Sequence, residues 1–109
     1  MELKELKCNA ESLTAALSGR MDALTAPEFT DQLEKWIAEG RINFTIDCCQ
    51  LDYISSAGLR ALLIIAKKVG GLNGKLQLAA LQESVQTVFE ISGFNKIIPL
   101  FATLDDAEK

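Results

Sequence analysis

The sequence predicts an α/β domain in which helices pack on a mixed, largely parallel sheet of four to five strands. Three observations carry that prediction. Residues 2–8 and 12–18 read as two short strands close enough to form a hairpin. After them, helical and strand periodicities alternate to the end of the chain, the pattern of parallel strands joined by helical crossovers. The 109 residues suit one domain, 1–109, and 49% of them are apolar, which excludes disorder.

Each element has its own signal. In the second strand Leu13, Ala15 and Leu17 alternate with Thr14 and Ala16, and Asn9 to Glu11 make the hairpin connection. Gly19 is expected to close that strand, with Arg20 to Leu24 leading out of the sheet. Thr25, Pro27 and Glu28 then spell a helix start: a candidate N-cap, a first-turn proline and the acidic end of a T-x-x-E capping box. Phe29, Leu33, Trp36 and Ile37 share one face of that helix, and Gly40 is placed to end it. Ile42, Phe44, Ile46 and Cys48 alternate with polar residues as a strand, followed by an expected loop over Gln50 to Ile54. A second helix begins near Ser56 or Ala57 with apolar positions at Leu59, Leu62, Leu63, Ala66 and Val69, and Ile64 and Ile65 make it apolar nearly all round, which predicts a well-covered helix. Lys67 and Lys68 complement its dipole, and Gly70 and Gly71 terminate it. Lys75 to Ala80 form a strand, Ser84 to Ser92 a helix stopped by Gly93, and Ile97 to Phe101 a short strand that Pro99 sends to an edge. Thr103 and Asp106 mark a closing helix of barely one turn.

Composition removes several functions. There is no histidine, so Ser-His-Asp and Cys-His catalysis are excluded, along with the commonest metal ligand. The net charge of −4 and the lack of a Lys/Arg cluster argue against direct nucleic-acid binding and against docking on anionic lipid. Cys8, Cys48 and Cys49 make no disulfide framework and are expected to be reduced and mostly buried, with the adjacent pair pointing to opposite faces of a strand. The G-x-x-x-x-G-K-[ST] phosphate loop is absent, because Gly70, Gly71 and Gly74 lead through Lys75 into the strand Leu76-Gln77-Leu78. Charged residues at Glu2, Lys4, Glu5 and Lys7 interrupt any apolar leader, and no apolar run is long enough for membrane insertion. The expectations are therefore a cytoplasmic, non-enzymatic binding domain without a cofactor.

The segment from Leu51 to Arg60, with Ser55, Ser56, Ala57 and Gly58 at its centre, joins the most buried strand to the most apolar helix. Serine at that position caps a helix. This stretch and an earlier one, Leu17-Ser18-Gly19-Arg20-Met21-Asp22 followed by Thr25-Ala26-Pro27-Glu28-Phe29, resemble the STAS family of sulfate-transporter and anti-sigma factor antagonist domains. The order, spacing and element succession match over about residues 3 to 104.

That resemblance implies a partner-switching anti-sigma factor antagonist. Such a domain binds an anti-sigma factor that is also a serine kinase. Phosphorylation of a loop serine releases it, and a serine phosphatase restores it. The usual loop core, Asp-Ser/Thr-Ser-Gly, aligns with Ser55-Ser56-Ala57-Gly58, which puts Ala57 where the acceptor normally stands. Ser56, or Ser55, then becomes the candidate acceptor. Asp22, Ser55, Ser56, Ala57, Gly58 and Arg60 are the expected partner-binding residues, whereas Tyr53 is expected to pack with its hydroxyl satisfied. The alternative is a STAS adaptor subunit of a signalling or lipid-transport assembly that never switches.

Overall fold

The computed structural model describes residues 1–109. Strands β1 (Glu2–Cys8), β2 (Ser12–Met21), β3 (Asn43–Ile54), β4 (Lys75–Ala79) and β5 (Leu100–Phe101) form one sheet in sequential order, accompanied by α1 (Ala26–Ala38), α2 (Ser56–Gly70), α3 (Glu83–Ser92) and α4 (Leu104–Glu108). β1 pairs antiparallel with β2, and every later pairing is parallel, as the sequence predicts. Two-residue β5 lies at the edge, directly after Pro99.

This strand order dictates the layers. Parallel crossovers are right-handed. When every crossover steps in the same direction along the sheet, all the crossover helices must fall on one face. The core accordingly lies between the sheet and those helices. Leu13, Ala15, Leu17, Phe44, Ile46, Leu76 and Leu78 come from the strands, and Phe29, Leu33, Leu62, Ile65 and Phe89 from the helices. Trp36 of α1 stacks against Phe44 of β3 with ring centroids 6.3 Å apart. Only α4 covers the opposite face. Its Thr103 hydroxyl accepts from the Asp106 amide at 3.0 Å, the cap the sequence suggests.

Three boundaries differ from expectation. Of the expected strand Ile97–Phe101 only Leu100–Phe101 pairs, because a 3-10 helix over Phe94–Lys96 precedes it and the Ile97 and Ile98 amides turn back to the Phe94 carbonyl. Gly19 does not close β2. It takes a positive φ of 88° and the strand runs on to Met21. β3 likewise continues through the expected loop to Ile54, because Gln50 to Ile54 pair with Ser18 to Met21 of β2. The pairing offset changes between Ala16 and Ser18 and again between Gly19 and Arg20. These are β-bulges that insert extra residues into β3. Its buried positions are therefore Phe44, Ile46, Cys48, Leu51 and Ile54, and the period of two breaks after Cys48.

The start of α1 departs in its chemistry. Thr25 is the N-cap residue, but its side chain makes no capping bond. The hydroxyl is taken up within the preceding turn, accepting from the Asp22 amide and donating to the Arg20 carbonyl, both at 2.9 Å. The other end follows expectation. Gly40, at φ 100°, and Arg41 return their amides to the carbonyls of Ile37 and Trp36, a Schellman closure.

Candidate functional site

The carboxyl ends of parallel strands are where α/β sheets present loops for binding. Here the ends of β2 and β3 lie side by side, with Met21 opposite Ile54. The Ser55 amide donates to the Met21 carbonyl at 2.9 Å, so the β2–α1 turn and the start of α2 are held as one surface.

Asp22 organises the first half. Its Oδ1 accepts from the amides of Leu24 and Thr25 at 3.0 and 3.2 Å, and Oδ2 lies 3.8 Å from Nε of Arg20. Desolvation pushes the carboxyl's pKa up, but the two amides, the Thr25 hydroxyl and the Arg20 guanidinium outweigh it. The group stays below its ordinary value. Leu24, inside this turn, is 86% exposed.

Ser55, Ser56, Ala57 and Gly58 build the second half. Ser55 is half-buried in extended conformation and its Oγ accepts from the Gly58 amide at 3.3 Å, so it caps α2. Ser56 follows as the first helical residue and is exposed. The first turn of α2 contains no acidic residue, so nothing on the helix competes with an anion for its free N–H groups. Arg60 is exposed, one turn further on.

Gly58, expected to touch a partner, is buried. A Cβ there would lie 2.6 Å from the Met21 carbonyl oxygen and 2.8 Å from the Ile54 side chain. The absence of a side chain there lets α2 approach the strand ends, and Gly58 lies beneath the exposed surface rather than on it. Tyr53 also departs from expectation. It is 41% exposed, its hydroxyl has no protein partner, and the Arg20 guanidinium sits 4.2 Å from its ring centroid. The expectation of mostly buried thiols holds for Cys48 alone, since Cys8 and Cys49 are exposed. Burial, reinforced by the charge of Asp47, pushes the Cys48 thiol up, and the same two causes act more weakly on Cys49.

Next to the serines, α1 and α2 enclose an apolar groove of about 350 Å³ lined by Ala23, Ala26, Pro27, Ala57, Ala61 and Ile64, with Arg60 and Asp31 at its polar margin. The sequence reading missed both this groove and the Arg20–Tyr53 pair. The groove needs the α1–α2 packing, and the pair needs the bulged register that sets Arg20 opposite Tyr53. No cluster of three or more His, Cys, Asp or Glu gathers as metal ligands, and no helix is long and apolar enough to cross a membrane.

The chain is similar in sequence and fold to known proteins. A family model described as the STAS domain matches residues 4–107. BtrV of Bordetella bronchiseptica, assigned as an anti-sigma factor antagonist, is 40% identical over 88 residues, covering 81% of this chain and 76% of its own. The anti-sigma-B factor antagonist of Listeria monocytogenes is 28% identical over 100 residues, covering 92% and 86%. The crystal structure of an anti-sigma factor antagonist from Mycobacterium paratuberculosis superposes with a TM-score of 0.82 at 25% identity, over 97% of this chain and 91% of that one.

Proposed function

This chain belongs to the STAS domain family and is a homologue of anti-sigma factor antagonists, and on that premise we propose that it binds an anti-sigma factor serine kinase and is released when Ser56 is phosphorylated. The exposure of Ser56 at the open N-terminus of α2 carries the reading. Ser55 is the poorer acceptor because its hydroxyl is half-buried and engaged as the helix cap. The partner surface comprises Asp22 with its turn, Ser55, Ser56, Ala57 and Arg60, and extends into the groove between α1 and α2. As a regulator of this kind it acts in the cytoplasm, through its partner and without catalysis or a cofactor of its own. A serine phosphatase completes the cycle.

The switch follows from electrostatics. A phosphoserine adds about −1.5 to −2 charge at neutral pH. At Ser56 the free N–H groups of the helix start and the Arg60 side chain, four residues along the same face, accommodate that charge in the free domain. A partner packed over Ser56 would have to desolvate the same dianion without such compensation. Losing one good contact at an interface centre costs about 2 kcal/mol or more, and a desolvated dianion exceeds that.

The test is to incubate the domain with its kinase partner and ATP, locate phosphate by mass spectrometry and measure affinity before and after. Phosphate is expected on Ser56, together with an affinity loss of at least about tenfold, equivalent to 1.4 kcal/mol. Ser56→Ala is expected to bind normally and to resist release. Phosphate retained on Ser56→Ala would refute the assignment. Ala57 at the usual acceptor position favours a second reading, a non-switching adaptor of a larger assembly. Stable binding with no phosphate anywhere on the chain would select it.

A further inference from the structure

The face of the sheet opposite α1, α2 and α3 carries a second, polar cavity. Pairing sets Lys7 beside Thr14, Thr14 beside Thr45, and Thr45 beside Gln77, one row across four strands. Ser12, Asn43 and Lys75 make the neighbouring row. Alternation along each strand puts both rows on the same face, away from the Phe44 and Leu76 core. Together with Ala107 and Glu108 of α4 they line a cavity of about 310 Å³. Its position follows from the strand order, which leaves this face with only five-residue α4 as cover.

The floor of the cavity offers hydrogen-bonding groups that no protein atom occupies. Thr14 and Gln77 are the buried polar residues of the chain, 7% and 4% exposed. Gln77 Nε2 donates to Thr45 Oγ1 at 2.9 Å and to the Ala107 carbonyl at 2.7 Å. A carbonyl can only accept, so the nitrogen end of the amide is fixed there. The carboxamide oxygen of Gln77 and the hydroxyl of Thr14 then have no protein partner, although both line the cavity. Neither oxygen is sealed from solvent, since Nε of Arg41 is the one fully buried side-chain polar atom without a partner, so water or a ligand entering the cavity completes them. The rim supplies charge. Lys7 is committed to Glu108 at 2.8 Å, whereas Lys75 pairs with no carboxylate.

We propose that this cavity binds a small polyol bearing one anionic group, of the sugar-acid or sugar-phosphate class. Its hydroxyls donate to Gln77 Oε1 and exchange hydrogen bonds with Thr14 and Asn43, and its acidic group faces Lys75. The volume sits at the lower end of the range for small-molecule sites, which suits a single sugar-sized ligand. The site lies on the other side of the sheet from the helix face that carries Ser56. Occupancy and partner binding are therefore separate measurements.

The experiment is a backbone amide NMR titration of the full chain with sodium gluconate, glucose 6-phosphate and glucose. Saturable shifts are expected with gluconate or glucose 6-phosphate, confined to Ser12–Thr14, Asn43–Thr45, Lys75–Gln77 and α4, and weaker shifts with glucose. The stronger of the two anions identifies whether carboxylate or phosphate is the preferred acidic group. Thr14→Val, which keeps the side-chain shape, and exposed Lys75→Gln are each expected to weaken binding by roughly three- to tenfold. Absence of saturable shifts with all three compounds overturns the proposal, as do shifts that neither variant reduces.

Discussion

Asp22 is the residue on which the β2–α1 turn depends, and its ionisation makes that dependence measurable. Two amides and a hydroxyl converge on its carboxylate beside Arg20. They hold the folded-state pKa below the ordinary value of 3.8 despite partial desolvation. A depressed folded pKa means that the native state holds its proton less tightly than the unfolded chain. The resulting stability is complete well above pH 3.8 and is lost as the pH falls through the folded value. Asp22→Asn should therefore be less stable than the parent at neutral pH in urea denaturation, and the gap should close in acid. A gap independent of pH would mean that the carboxylate is held by shape alone. The sequence pointed to Asp22 through its motif but misjudged its neighbour Thr25. A T-x-x-E pattern signals a capping box only when the threonine hydroxyl is free, and here the turn that Asp22 organises consumes it.

At the scale of elements, α2 can start where it does because Gly58 has no side chain. The helix descends onto the joined ends of β2 and β3, and a methyl group at that position would meet the Met21 carbonyl oxygen at 2.6 Å. Backbone cannot swing aside as a flexible side chain can. Gly58→Ala should cost about 1–3 kcal/mol in denaturant unfolding. It should also shift the amide resonances of Ser55 and Met21, whose mutual hydrogen bond closes the site. Unchanged stability would mean that α2 can back away from the strands freely. The elements themselves were largely legible, since their periodicities and caps are local. The second half of β3 was not. Its bulges move the buried positions from every second residue to every third, Cys48 to Leu51 to Ile54, which resembles no regular strand. A loop over that half-strand leaves the facing of Arg20 and Tyr53 invisible, so the sequence predicts a packed Tyr53 with a satisfied hydroxyl rather than the exposed ring beneath Arg20.

For the whole molecule, sequential strand order separates two faces with different chemistry. One holds the helices, the core and the serine-bearing surface, and the other is polar and lightly covered by α4. The alternation of strands and helices predicted the parallel sheet. It could not reveal the second cavity, because Thr14, Thr45 and Gln77 read singly as the solvent side of their strands. Only pairing assembles them into one floor. The thiols sample this architecture at different depths. Cys8 and Cys49 are exposed and should react with an aromatic disulfide reagent in the native state, Cys49 more slowly because partial desolvation and then the neighbouring Asp47 push its thiol pKa up. Cys48 is fully buried at the centre of the sheet, with its pKa pushed far up. It should react only when β3 leaves its neighbours, with protection that collapses in parallel with global unfolding as urea is added. Native-like reaction at Cys48 without loss of helical circular dichroism would instead reveal a local opening. One sulfur atom in the middle strand thus gives the fold its own clock, whose ticks count how often the sheet comes apart in water, without denaturant or an added label site.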